Sequence, residues 1–212
     1  FFDSRTFMKD ASQKAKLFGL GLSRTGTKSL TAALAILGYN VVHYPNDKTT
    51  LKELQSAIYH LSILQRYDGV TDITVAPFYS QLDAAYPNSK FILTVREKTG
   101  WLRSLQKHWN HELELPVMDG YPSDYKSHLE ITNFLKVAVF GCCEFNPARM
   151  SYVYDLHCRN VIDYFGDRPQ DLLVLNICAG EGWEKLCSFL NQPLPEQSFP
   201  AVHAEAQLLP IP

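Results

Sequence analysis

The chain has 212 residues, with 20 lysines and arginines against 22 aspartates and glutamates, a formal charge of −2, and 46% hydrophobic residues. That length suits one domain with its own core, and the near-neutral balance excludes a surface built as a whole for nucleic acid, so any anion binding must be local. No apolar run reaches the ~18 residues that span a bilayer, and five cysteines without a C-x-x-C pair favour reduced thiols and a cytoplasmic protein with no membrane partner.

Strand-like and helix-like segments alternate through the first half. Residues 16–22 read as a buried strand and 27–37 as the helix after it, with Leu30, Ala33, Leu34 and Leu37 on one face. Residues 40–44 form a short second strand. A long helix is expected over 49–67, where Leu51, Leu54, Ile58, Leu61 and Leu64 recur at helical spacing. Residues 69–73 read as a third strand and 77–86 as a helix opened by proline. The clearest strand is "KFILTVR", 90–96, leading into a helix at about 99–111. A turn-rich loop, "ELPVMDGYPSD", precedes helices at about 125–142 and 147–165, a last strand at 171–177 and a last helix at 182–190.

This order predicts an α/β fold: a P-loop-like parallel sheet flanked by helices, with a helical insertion before the last strand. One domain spans 1–212, its nucleotide-binding core at about 16–111 and 171–191 and its helical acceptor region at about 112–166. Ligands of such sheets sit at the carboxyl ends of the strands. The residues to weigh are therefore 23–29, His43, Asp72, Arg96 and 179–183.

The stretch "LFGLGLSRTGTKSL" fits neither familiar phosphate-loop spelling. Gly21 and Gly26 have Walker A separation, but Thr27 stands where the lysine belongs and Lys28 comes one residue late. Gly19 and Gly21 begin a dinucleotide fingerprint that Arg24 breaks. The physics survives the spelling. A strand feeding a glycine turn into a helix start offers backbone N–H groups and a positive dipole end to an anion. Thr25, Thr27 and Ser29 add hydroxyls, and Arg24 adds a permanently charged fork. The plain alternative is a strand–helix turn capped by Thr25 or Thr27.

On these residues "GLSRTGTKSL" resembles the 5′-phosphosulfate loop of sulfotransferases, whose donor is 3′-phosphoadenosine 5′-phosphosulfate (PAPS). Arg24 falls on the family's basic position, with Thr25 beside it, and Gly26, Thr27, Lys28 and Ser29 fall on its phosphate-wrapping positions. "VREKTGWLRSL" is similar to the family's 3′-phosphate motif, with Arg96 at a strand end and Ser104 eight residues on. The likeness runs over most of 16–200. One departure stands out: Glu181 occupies "AGEGW", where cytosolic members carry a basic, glycine-rich segment. The resemblance implies PAPS as donor, its desulfated product PAP, no metal, and a hydroxyl or amine acceptor on a small molecule or glycan.

Two strand-end residues qualify as base. His43 closes the second strand and Asp72 the third, and the family's sheet order makes these strands neighbours. A dyad is expected in which His43 takes the proton and Asp72 orients the ring. Arg24 and Lys28 would stabilise developing charge. The bland alternative makes His43 a strand-end histidine satisfied by backbone and Asp72 a helix cap. His108, His111 and Glu112 read as a solvated helix face rather than a metal site, with His108 within reach of an acceptor. Tyr154, His157 and Tyr164 read mainly as a helix face. Trp101, Trp109, Phe134, Phe140 and Phe145 read as core or acceptor-pocket wall. Two other functions share the loop: a metal-dependent P-loop small-molecule kinase with Asp72 on magnesium, and a non-catalytic adenosine-phosphate-binding module.

Overall fold

Along β1 (Leu17–Gly19), Leu17 and Phe18 point to opposite faces and both are buried, so this strand requires cover on both sides. A computed structural model describes residues 15–113 and 123–202 and supplies that cover. The other strands are β2 (Val41–His43), β3 (Gly69–Thr71), β4 (Lys90–Thr94) and β5 (Leu172–Leu175). All pair in parallel in the order β2-β3-β1-β4-β5. The α/β parallel sheet expected from the alternation is thus the observed fold.

One face of the sheet is covered by α1 (Thr27–Ile36) and α7 (Trp183–Leu190), whose Leu30, Ala33, Leu34 and Leu186 pack on Leu17, Ile92 and Leu175. The other face carries the larger core. There Phe18, Phe91 and Leu93 meet α2 (Lys48–Gln55), α3 (Tyr79–Ala85), α4 (Lys98–Leu113), α5 (Ser123–Phe140) and α6 (Pro147–Tyr164). Phe18 and Phe91 stack with ring centroids 5.3 Å apart. Each large side chain buried this way contributes about 1.5–3 kcal/mol. Among the described residues no helix is long and apolar enough to cross a membrane.

The helix expected over residues 49–67 is shorter. α2 stops at Gln55, and a 3₁₀ turn follows at Ser62–Gln65. Ala57 enters the left-handed region at φ 54°, its N–H donating to the Leu54 carbonyl while the Ile58 N–H donates to that of Glu53. This is a Schellman stop, usually announced by glycine. Here alanine occupies that position, so no glycine marks the stop, and Ile58, expected on the buried face, is half exposed. The turn-rich loop at 114–122 lies outside the described residues.

The order places β1 between β3 and β4, the point where the winding of the sheet reverses and where ligands of such sheets bind. The carboxyl ends of β1, β2, β3 and β4 open together into one cleft of about 880 Å³.

Candidate active site

Close packing shapes the loop after β1. A Cβ on Gly21 would lie 1.7 Å from the Thr94 hydroxyl, so only glycine lets the loop cross β4 here. Thr25 is buried, and its hydroxyl donates to the Leu22 carbonyl at 2.7 Å and meets the Thr94 hydroxyl at 2.7 Å. Its N–H also donates to Leu22. Thr25 was expected to offer a donor to an anion; instead it braces the loop on β4, and it does not line the cleft. Gly26, at φ 101°, starts α1 with no side-chain cap and no acid in the first turn. The N–H groups of a first helical turn have no intrahelical acceptor. Gly26, Thr27, Lys28 and Ser29 all line the cleft, so this positive helix end opens into it.

The two arginines meet. Arg24 donates from Nε to the Ser104 hydroxyl at 2.9 Å, and Arg96 donates from Nη1 to the Arg24 carbonyl at 3.1 Å. Both guanidinium-bearing residues line the one cleft. Their positions are fixed from behind by residues whose role the sequence did not reveal. The Tyr154 hydroxyl accepts from the Arg96 N–H at 2.8 Å and donates to the Arg96 carbonyl at 2.7 Å. Trp101 donates from its indole to the Ser23 carbonyl at 3.0 Å, and its ring lies 4.5 Å from that of Tyr154. Both are buried. One tilted aromatic pair therefore holds the loop after β1 and the end of β4. His157, also read as helix face, is turned inward to the Leu20 carbonyl at 2.8 Å, and burial lowers its pKa against the opposing effect of that bond.

His43 and Asp72 lie side by side, with Nε2 3.0 Å from Oδ2. Asp72 is buried and accepts from four groups: the Ser23 hydroxyl at 2.5 Å and the Ile73 N–H at 2.7 Å on Oδ1, the Thr27 hydroxyl at 2.5 Å and His43 on Oδ2. Four donors saturate a carboxylate. Thr27 thus turns its hydroxyl to Asp72, within 3.1 Å of His43 Nε2, and Ser29 accepts from the Val202 N–H at 3.0 Å. Three residues of this cleft, Arg24, Tyr44 and Asp72, hold left-handed backbone at φ 75°, 47° and 80°. Such conformations cost about 1 kcal/mol or more in a non-glycine residue, and they concentrate at working sites.

Burial alone would raise the Asp72 pKa. The hydrogen bond and charge of His43, with the Ser23 and Thr27 hydroxyls, outweigh it and hold the group at about 2, below the ordinary 3.8. A carboxylate depressed in this way contributes stability of about 2 kcal/mol that is present above its unfolded pKa and lost as pH falls through the folded one. The melting temperature is accordingly expected to decline between pH 4 and pH 2, and Asp72→Asn to flatten that part of the profile. An unchanged slope in the variant would contradict the assignment.

Beyond the dyad, the cleft wall passes from β2 to α5. The Tyr44 hydroxyl meets the Thr132 hydroxyl at 2.9 Å, and Leu105, His108, Trp109, Lys136 and Phe140 complete this end. Trp109 and Phe140 serve as wall, whereas Trp101 belongs to the core behind the loop. His111 and Glu112 have side chains outside the described set. The opposite wall is the chain after β5, where Phe199, Pro200, Ala201 and Val202 join Ile177, Cys178, Gly180 and Glu181. Trp183 packs on Phe199 at 4.8 Å and donates to the Gln197 carbonyl, pinning this tail to α7. Glu181 accepts from the Asn176 N–H at 2.7 Å and from Lys185, so this wall carries a tethered carboxylate.

A parallel α/β sheet with an open helix start and two joined arginines at its switch point has the geometry and charge that suit an anionic ligand. The sulfotransferase domain model matches residues 16–208, and the chain belongs to the sulfotransferase family. It is 28% identical over 214 residues to Ava biosynthesis cluster protein M of Aspergillus versicolor, spanning 88% of this chain and 80% of that protein. In fold it is similar to a sulfotransferase from Alicyclobacillus acidocaldarius, with a TM-score of 0.51 at 16% identity over 89% of this chain and 87% of that one.

Proposed function

We propose that the protein transfers a sulfuryl group from PAPS to a hydroxyl, or an amine, of a small molecule or glycan, releasing PAP and using no metal. The observation that carries this reading is the junction of Arg24 and Arg96 beside the uncapped start of α1, all lining one cleft, with Ser104 bonded to Arg24 but not itself among the lining residues. A nucleotide phosphorylated at both ends needs two anion sites close together, and those residues are of the right chemistry for both. Lys28 and the N–H groups of Gly26, Thr27 and Ser29 would hold the 5′ side. Arg96 and Ser104 would hold the 3′-phosphate, with Arg24 between them.

Bound PAPS supplies the sulfuryl group and a phosphate leaving group. The protein's part is positioning and charge stabilisation, as in phosphoryl transfer. His43 gives its Nε2 side to Asp72, which leaves Nδ1 as the nitrogen that takes the acceptor's proton. Asp72, kept ionised by its four donors, fixes the tautomer and stabilises the imidazolium that forms. Arg24, Lys28 and the N–H groups face the charge that builds on the departing phosphate, and removal of one such contact costs about 3–4 kcal/mol of transition-state stabilisation.

The test is incubation with PAPS and a library of hydroxylated and amino metabolites, read as a gain of one sulfuryl group in an acceptor together with release of PAP. Tight PAP binding with neither transfer nor PAPS hydrolysis would instead make the protein a binding module.

Tyr154 acts through Arg96. Tyr154→Phe keeps the ring contact with Trp101 but frees both backbone groups of Arg96. It is expected to narrow the preference for PAP over AMP several-fold, by about the roughly 1 kcal/mol that a neutral hydrogen bond contributes. A fall in both affinities by the same factor would show a merely structural role.

A further inference from the structure

Thr27 occupies the place where the helix start and the dyad touch. It opens α1, is buried, and lines the cleft. Its hydroxyl donates to Asp72 Oδ2 at 2.5 Å and lies 3.1 Å from His43 Nε2. A hydroxyl has one proton to give and two lone pairs to offer. With that proton committed to the carboxylate, what remains toward the ring is an acceptor. The Nε2–H of His43 therefore lies between two acceptors, Asp72 Oδ2 at 3.0 Å and the Thr27 oxygen at 3.1 Å.

The surrounding elements hold that hydroxyl in place. One turn further along α1, Thr31 donates to the Thr27 carbonyl at 2.9 Å and meets the Thr71 hydroxyl at 2.7 Å. Thr71 immediately precedes Asp72 and pairs in register with His43 across β2 and β3. The Tyr44 N–H donates to the Thr71 carbonyl at 3.1 Å, and the Asp72 N–H to the Gly19 carbonyl at 3.1 Å. Two threonines on one face of α1 thus tie its first turn to the end of β3 at two points. The χ2 torsion of histidine is broad, so one acceptor fixes a direction for the ring and a second fixes its plane.

We infer that Thr27 is the positioning residue of His43: its hydroxyl, with Asp72, sets the plane of the imidazole, and only its main-chain N–H serves the donor's phosphate. A loop position expected to wrap phosphate with a hydroxyl therefore directs that hydroxyl at the base. The donor cradle and the base are registered through the bonds of a single residue. This assignment rests on the sulfotransferase reading above for the ring's role as base, whereas the placement of the ring stands on its own geometry.

Thr27→Val keeps the shape and the N–H and removes the hydroxyl, whereas Thr27→Ser keeps the hydroxyl. Proton NMR of the unaltered protein is expected to show a hydrogen-bonded imidazole N–H far downfield, identified by its absence from His43→Ala. That resonance should persist in Thr27→Ser and be lost to solvent exchange in Thr27→Val, while calorimetry finds PAP affinity unchanged in both variants. With PAPS and 2-naphthol as a phenolic acceptor, Thr27→Val should lose roughly ten- to a hundredfold in kcat with KM for PAPS unchanged, and Thr27→Ser should keep most of the rate. In the His43→Ala background the valine should add no further loss. An unchanged resonance in Thr27→Val, its absence from the unaltered protein, or a further loss in the His43→Ala background overturns the inference. So does PAP binding about tenfold weaker in a Thr27→Val variant that still unfolds cooperatively on heating, which would make the hydroxyl a phosphate ligand. Where valine prevents folding, Thr27→Ala carries the same expectations. Loss of the resonance in a protein that transfers to no member of the metabolite library upholds the placement of the ring and sinks the catalytic reading alone.

Discussion

His43→Ala is expected to lose roughly 10²–10⁴-fold in turnover while its affinity for PAP stays unchanged, because only the proton transfer depends on the ring. The expectation is clean for a structural reason. Removing the imidazole leaves Asp72 with three donors, from Ser23, Thr27 and Ile73, so no buried charge is stranded and the loop after β1 keeps its anchor. The ring bonds to Asp72, whereas Arg96 and Ser104 meet through Arg24. Loss of turnover and retention of nucleotide binding should therefore separate. Near-normal turnover in His43→Ala would remove it as the base.

The second large effect is on binding. Arg96→Ala is expected to weaken PAP by about 1.5–3 kcal/mol, or roughly ten- to a hundredfold in Kd, the usual worth of a hydrogen bond to a charged group. Tyr154 grips the backbone of Arg96, not its guanidinium, so the end of β4 should stay in place. The lost side chain also braces the Arg24 carbonyl, and Arg24 holds a left-handed conformation that needs support. AMP, which lacks the 3′-phosphate, should consequently weaken too, but by less. Isothermal titration of both nucleotides against both proteins reads the difference. Equal loss for PAP and AMP would mean that Arg96 only supports the loop.

Strand ends were legible in the sequence and their supports were not. His43, Asp72 and Arg96 follow short apolar runs, and a parallel sheet delivers whatever follows such runs to one edge, so their convergence could be read before any coordinates. Arg24 and Gly26 were legible for the same reason. Thr25 was misjudged, because a hydroxyl in a donor-rich loop looks the same whether it faces an anion or, as here, Leu22 and Thr94. Tyr154 and His157 sit on a helix whose spacing says only that one face is buried. Nothing in a periodicity says that a phenol will meet a backbone 58 residues away. Lys136 was hidden by the same ambiguity, since a lysine in a helix reads as solvated until a cleft is seen beside it. The tail at Phe199–Val202 carries no periodic signal at all, and Trp183 and Ser29 help hold it at the cleft. The lost half of the helix over 49–67 had a local cause, an alanine in a glycine's conformation.

Titration calorimetry of the unaltered protein with PAP, AMP and ATP plus magnesium tests the central claim most directly. If Arg24, Arg96 and Ser104 with the start of α1 form a paired anion site for one doubly phosphorylated nucleotide, PAP binds in EDTA. It should bind at least tenfold more tightly than AMP, and more tightly than ATP with magnesium, since the second phosphate adds a charge-assisted contact. Binding of ATP only with magnesium, or equal affinity for PAP and AMP, would contradict the account.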